Sequence, residues 1–286
     1  MLVSGKDLLD VANANNFAVP AFNVSDYAMM NGLFEISEEK QSPLLIAIHP
    51  DELSHIGTDV LHAIIARANR SSVPVTIHLD HGASYEQVLL AIQSGFTSVM
   101  IDGSMLPFDE NIAITKKVVD TAHAVGVSVE GELGTIGKTD NEAEDGAASI
   151  IYTEPDEAVT FVEATGVDSL AIAIGTSHGI YPASMKPELK LELLKRIKAK
   201  VNIPLVLHGG SNNPDREIGE SVKLGVNKIN ISSDIKAAYH NKMREVLADA
   251  SVREPNTIQP PSIAAMKETA AQKIDLFESA GKATLY

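Results

Sequence analysis

The sequence predicts an α/β fold, a (β/α)8 TIM barrel with an extra C-terminal helix, on three observations. Short β-branched, apolar runs alternate with longer amphipathic stretches, the mark of parallel strands joined by crossover helices. Eight such units fit within 286 residues, and barrels of this kind commonly take about 250. Polar residues collect at the carboxyl ends of six successive strands, where the loops of a barrel carry function. Eight units in one chain favour a closed barrel over an open sheet, so residues 1–286 read as one domain with 251–286 as a C-terminal extension.

The strands are expected at 17–22, 44–49, 75–78, 98–102, 127–132, 169–174, 205–208 and 228–231. Helical patterns lie between them, near 26–40, 54–70, 84–94, 109–124, 155–165, 187–200, 214–224 and 233–248. Pro43, Pro74 and Pro204 each stand just before a strand, where a missing N–H is tolerated. Two segments break the rhythm. The stretch 134–150 is rich in Gly, Thr, Asp and Glu with no apolar period, which suits a lid or binding loop. The tail from Ser251 holds Pro255, Pro260 and Pro261, then a helical run over about 263–278, read as a ninth helix outside the barrel that serves packing or subunit contact.

Composition narrows the partners. A net charge of −15 argues against nucleic acid, whose phosphates need concentrated Lys and Arg. It leaves room for a small phosphorylated ligand, since backbone amides alone can hold one phosphate. No apolar run approaches the roughly 20 residues of a membrane helix. The first ten residues lack the basic-then-apolar order of a signal peptide, and there is no cysteine, so a cytoplasmic location is expected.

His81, His178 and His208 follow strands three, six and seven. Neutral imidazole suits Zn²⁺, and a catalytic zinc takes three protein ligands with one position open. His78 lies within strand three and reads as a core residue or a support for the site. His49, at the end of strand two, reads as structural before it reads as mouth-lining. His55, His62, His123 and His240 fall in helical regions and read as surface or packing residues. Gly209-Gly210-Ser211 after strand seven lets a backbone approach closely, and Ser232 and Ser233 after strand eight are N-cap candidates for the next helix. Loops seven and eight are the usual phosphate site of a barrel.

With these residues identified, the chain resembles the class II fructose/tagatose-bisphosphate aldolases, nearest their tagatose-type branch. The resemblance rests on AVPAFNV, IHLDHG, SVMIDGS, VEGELG, YTEPDEAVTFVEATGVDSLAIAIGTSHG, PLVLHGGS and KINISSDIK, which together span most of the chain. It implies reversible cleavage of a phosphorylated ketose into dihydroxyacetone phosphate and an aldehyde. By resemblance, His81, His178 and His208 bind zinc and Asp80 is the acid/base. Asp102 and Glu132 match acidic positions that can contact the metal in an alternative position. Gly179, Gly209, Gly210, Ser211, Asn230, Ile231, Ser232 and Ser233 match the residues around the dihydroxyacetone phosphate end. Relatives also bind a monovalent cation (Na⁺ or K⁺) near the phosphate. They form homodimers or homotetramers, and some tagatose-type members depend on a non-catalytic partner subunit.

Three departures stand out. Relatives carry a Glu in the mobile loop after strand five to move the C3 proton, and here Asp140 holds that place with Glu142 two residues on. Asn212-Asn213-Pro214 follows strand seven where relatives have another glycine, and Asn tolerates the positive φ such a turn needs. Relatives acting on bisphosphates carry Asp-Pro-Arg before the last helix, whereas this chain reads Glu254-Pro255-Asn256. The distal end of the substrate is therefore expected to differ from a conventional 1,6-bisphosphate. Rival readings are a Schiff-base aldolase using Lys228, a zinc hydrolase (strand one offers only Asn23 where such enzymes place a His pair), and a non-catalytic barrel subunit.

Overall fold

The computed structural model describes residues 1–135, 150–179 and 188–286, with the backbone alone at 137–138. Strands β1 Val19–Asn23, β2 Leu44–Ile48, β3 Val75–Gly82, β4 Ser98–Ile101, β5 Ser128–Leu133, β6 Ser169–Ile172, β7 Leu205–Leu207 and β8 Val226–Ile231 form the sheet. They pair in parallel, each with its neighbours in sequence, and the ring closes where Val19 meets Lys228 and Phe22 meets Ile231. Because helices cover the outside and side chains fill the inside, β1, β2, β4 and β5 are buried along their whole length.

The crossover helices are α2 Tyr27–Glu39, α3 Pro50–Ile56, α4 Val60–Asn69, α5 Tyr85–Gln93, α6 Phe108–His123, α7 Pro155–Thr165, α8 Leu191–Lys198, α9 Asp215–Lys223 and α10 Ser233–Val246. The expected helix at 54–70 is two helices. Gly57, with φ 76, ends α3 in a conformation that L side chains avoid, and α4 starts again at Val60.

Two elements fall outside the expected set of boundaries. Helix α1 Gly5–Ala14 was not expected, although Ser4 caps it by accepting from the Asp7 amide and Leu8, Leu9 and Ala12 give it one buried face. It closes the amino-terminal end of the barrel by packing on Phe17, Val19, Ala21, Leu45 and Ala47. Helix α11 Pro255–Leu276 begins about two turns before its expected start and runs through Pro260 and Pro261. The carbonyls those prolines leave unbonded, Asn256 and Thr257, lie in an exposed first turn that water can reach. No helix among the described residues is long and apolar enough to cross a membrane.

Candidate functional site

A cavity of about 290 Å³ opens at the carboxyl ends of the strands. Asp80, His81, His178, Gly179, His208, Gly209, Ser211, Asn230, Ser232 and Ser233 line it, joined by Asn23, His49, Asp51, Glu52 and Lys236. Of the residues expected at the site, Gly210, Ile231, Asp102 and Glu132 stand behind this wall, and Asp140 and Glu142 lie outside the described residues.

Asp80 and His81 are adjacent in sequence, so a regular strand would turn them to opposite faces. The ladder between β3 and β4 instead pairs Leu79 with Val99 and next Gly82 with Ile101, which sets both residues opposite Met100. His81 takes φ 51, an uncommon left-handed conformation for a residue with a side chain. The bulge turns both side chains into the cavity.

His81, His178 and His208 each bring a nitrogen within 4.8 Å of the others. The structure also fixes which nitrogens are committed elsewhere. His81 Nδ1 donates to Asp102 Oδ2 at 2.8 Å, and Asp102 Oδ1 accepts from the Ser104 amide and hydroxyl at 3.1 and 2.7 Å. His208 Nε2 donates to Glu130 Oε1 at 2.8 Å. What remains are His81 Nε2 and His208 Nδ1, both buried and without a hydrogen-bond partner among the described residues. A buried polar atom left unpaired costs about 1–3 kcal/mol. Imidazoles held by carboxylates on one nitrogen, with the other unpaired, are what a divalent metal would complete. The residues therefore fit such an ion.

Burial, with His81 and His208 close by, lowers His178 to about 3, and burial beside His81 also lowers His208. Both rings are thus neutral, the form that binds a metal. Burial would lower His81 too, but Asp80, Asp102 and Glu132 outweigh it and bring its metal-free value up to about 9. A second set, His81 with Asp102 and Glu132, also converges within 4.8 Å, on the Nδ1 side of the ring. Burial raises Glu132 to about 8, helped by the negative charge of Asp102, Glu130 and Asp80 and opposed by His81.

Asp80 is clamped on both oxygens, by Asn23 Nδ2 at 2.8 Å and Asn230 Nδ2 at 2.9 Å. Burial works to raise its pKa, but His81, His208 and Lys228 hold it well below the usual carboxylate range. Below the cavity, Lys228 donates to both oxygens of Glu130 at 2.9 and 2.8 Å and lies 3.4 Å from His78 Nε2. His78 shares a hydrogen bond with Ser98 at 2.8 Å, and burial next to Lys228 lowers it to about 3, so it supports this layer as a neutral ring. Lys228 is fully buried and does not line the cavity, which leaves a Schiff-base nucleophile no open approach.

The loop after β7 is shaped by close backbone approach. At Gly209, with φ 62, a Cβ would stand 2.6 Å from the Ser177 carbonyl oxygen. Asn212 takes φ 57, as its place in the turn leads one to expect, and Asn213 ties the loop by donating to Gly209 O and Ser211 O at 2.7 and 2.9 Å. One expectation needs correcting. Ser232 occupies the N-cap position of α10 but makes no side-chain cap bond. Ser211 Oγ does that work from the neighbouring strand, accepting from the Ser232 and Asp234 amides at 3.3 Å each. The pairing of β7 with β8 brings the loop that carries Ser211 beside the start of α10. The amino end of α10 and the glycine loop thus form one wall suited to an anion.

Four contributors to the site carry little or no signal in the sequence: Asn23 as a clamp on Asp80, Glu130, Glu52 and Lys236. Glu52 had a signal, since it stands three residues after His49 as the acid of a capping box, but His49 is an unusual cap. The remaining histidines behave as expected: His55, His62, His123 and His240 are exposed on helices. His49 is both the cap of α3 and part of the cavity wall.

A family model described as fructose-bisphosphate aldolase class-II matches residues 3–282. Among solved structures the chain is similar to the YdjI aldolase from Escherichia coli K12, at 36% identity and a TM-score of 0.88 over 99% of this chain and 100% of that one. It shares the fold of the fructose-bisphosphate aldolase Fba from Campylobacter jejuni, at 22% identity and a TM-score of 0.81 over 98% and 96% of the two chains.

Proposed function

The chain belongs to the class II fructose-bisphosphate aldolase family, and from that premise we propose that it reversibly cleaves a phosphorylated ketose into dihydroxyacetone phosphate and an aldehyde. The observation that carries this reading is the convergence of His81, His178 and His208, two of them with orphaned nitrogens, beside an ionised Asp80. Zn²⁺ bound by these imidazoles supplies a Lewis acid for the charge that develops beside the ketose carbonyl on C3–C4 cleavage.

The chain's own residues do the rest. Asp80 takes the C4 hydroxyl proton during cleavage and returns it during condensation. Its clamps, Asn23 and Asn230, use one lone pair on each oxygen and leave others for that proton. Asn230 has a second amide hydrogen for the oxygen that gains charge. Gly179, Gly209, Ser211, Ser232 and Ser233 hold the substrate's phosphate against the amino end of α10, with Gly210 and Ile231 shaping the backbone behind them. A loop carboxylate, Glu142 ahead of Asp140 for its longer reach, moves the C3 proton. Asp102 orients His81, and with Glu132 offers the metal its alternative position. A monovalent cation near the phosphate, a cytoplasmic location and a homodimer or homotetramer belong to the same reading, on the strength of the family.

The substrate we favour is a ketose 1-phosphate. Asn256, where bisphosphate-specific relatives carry arginine, is exposed on the first turn of α11 and brings no charge to the cavity. The test is a panel of ketose 1-phosphates and 1,6-bisphosphates assayed for dihydroxyacetone phosphate, with chelator and with zinc restored. Activity should vanish on chelation and return with zinc. Activity that persists after complete metal removal, with a borohydride-trapped adduct at Lys228, would reverse the reading.

A further inference from the structure

Apart from Asn23, which clamps Asp80, one wall of the cavity takes no part in this chemistry. With the phosphate assigned to the loops after β7 and β8, and the imidazoles coming from β3, β7 and the segment after β6, the remaining wall comes from the loops after β1 and β2. It carries Asn23, His49, Asp51 and Glu52, and Lys236 reaches into it from the first turn of α10. Asn23 Nδ2 lies 2.8 Å from Asp80 Oδ2 and 3.4 Å from Glu52 Oε2. Glu52 is therefore one amide away from the group assigned to the C4 hydroxyl, which places this wall beside the carbons beyond C4.

Lys236 is the one lysine or arginine lining the cavity among the described residues. Its Nζ donates to Glu52 Oε1 at 2.5 Å. Glu52 is fixed independently of it: Oε2 accepts from the His49 amide at 2.9 Å and Oε1 from Ser25 Oγ at 3.2 Å. The Glu52 side chain is only 10% exposed and that of Lys236 29%, so the pair is built into the wall rather than waving in solvent. Asp51 adds a second carboxylate to the same wall. Two acids thus face one base, and that base is already neutralised.

We infer that the Glu52–Lys236 ion pair sets substrate specificity, so that the distal end of the cavity accepts an uncharged polyhydroxy tail and rejects a second phosphate. A second phosphate here would face the carboxylates of Glu52 and Asp51 and, among the described residues, a single lining cation that Glu52 already neutralises. A hydroxylated tail needs none, and finds acceptors in Glu52 and Asp51 and a donor in the Asn23 amide. This inference rests on the aldolase reading above and specifies its substrate class.

The experiment compares kcat/KM for the 1,6-bisphosphate and the 1-phosphate of the same ketose, in zinc-loaded wild type, Glu52→Gln, Lys236→Met and the double variant. Glu52→Gln frees the ammonium and should raise the bisphosphate-to-monophosphate ratio about tenfold, the scale of a charge contact in a half-exposed site. The gain should disappear in the double variant. Lys236→Met alone leaves Glu52 unpaired and should lower the ratio below wild type, which keeps the inference testable should Glu52→Gln fail to fold. A ratio that stays the same in both single variants overturns it. So does an equal rise in KM for both sugars and for dihydroxyacetone phosphate in Lys236→Met, because Lys236 would then serve the shared phosphate. Absence of dihydroxyacetone phosphate from every sugar in the wild type would instead sink the aldolase reading itself.

Discussion

Glu130 and Glu132 stand two residues apart on one face of β5, yet their surroundings drive them in opposite directions. Burial works to raise Glu130, but Lys228 together with the hydrogen bond from His208 and the nearby His78 outweighs it and keeps it ionised. At Glu132 burial, with the negative charge of Asp102, Glu130 and Asp80, outweighs His81 and pushes it up to about 8. The ionised member then holds His208 by Nε2, so that Nδ1 is the nitrogen left over. Glu130→Gln keeps the volume but loses the charge that fixes this tautomer. Zinc affinity should fall about 10- to 100-fold, measured by competition with a chromogenic chelator, and unchanged affinity would remove Glu130 from the role. Lys228→Met leaves a carboxylate unpaired in the barrel interior and should cost about 3–5 kcal/mol in urea unfolding of the metal-free protein. The three histidines were legible in the sequence because each follows a strand at the end where barrels do chemistry. Glu130 was not, because nothing in a strand's alternation separates a carboxylate at the mouth from one a layer deeper.

Elements were legible where their pattern was long and regular, and less so where a single residue or a neighbour decides. Gly57 breaks the helix expected at 54–70 through its φ alone, and α1 carries only one short buried face between a Ser cap and Asn15. The bulge in β3 is set by pairing with β4, and no local signal in IHLDHG demands it. The loop after β7 shows how tightly such a feature can constrain chemistry. Gly209→Ala would put a methyl 2.6 Å from the Ser177 carbonyl in a backbone conformation unfavourable to alanine. The loop must shift away from Ser177, and we expect KM for the phosphorylated substrate to rise by about an order of magnitude, with about 1–3 kcal/mol lost from stability. Outside the site, Arg67 on α4 grips Glu38 on α2 through two 2.7 Å hydrogen bonds and lowers the Glu38 pKa. A depressed folded pKa contributes stability above the unfolded value and loses it as pH falls through the folded one. Glu38→Gln should therefore be less stable at neutral pH, by at most about 1 kcal/mol. The gap to wild type should close below about pH 4 in unfolding curves taken across the acid range.

At the scale of the molecule, the tail differs from expectation in where its helix starts, and it packs against the barrel. Met266, Ala270, Ile274 and Phe277 are each 0% exposed and belong to the same core as the barrel's outer face. The tail is also stitched by backbone. Ala18, the residue before β1, donates to Phe277 O at 3.0 Å; Gly281 and Ala283 donate to Lys40 O and Gln41 O at 2.9 Å each. Tyr286 then donates through its hydroxyl to Leu8 O at 2.7 Å, joining the chain's last residue to the helix that closes the barrel's amino-terminal end. The first of these contacts lies at the start of β1, the strand whose last residue, Asn23, clamps Asp80. We therefore expect residues 255–286 to unfold with the barrel rather than before it. Phe277→Ala would open a cavity under β1 and should cost about 3–5 kcal/mol, a fall of roughly 2–4 °C in Tm per kcal/mol for a chain approaching this size. Calorimetry should show one transition in both proteins, shifted down in the variant, and KM should change little because Phe277 lies at the far end of β1 from the cavity. Two separate transitions, or a variant whose Tm matches wild type, would return the tail to the status of an appendage.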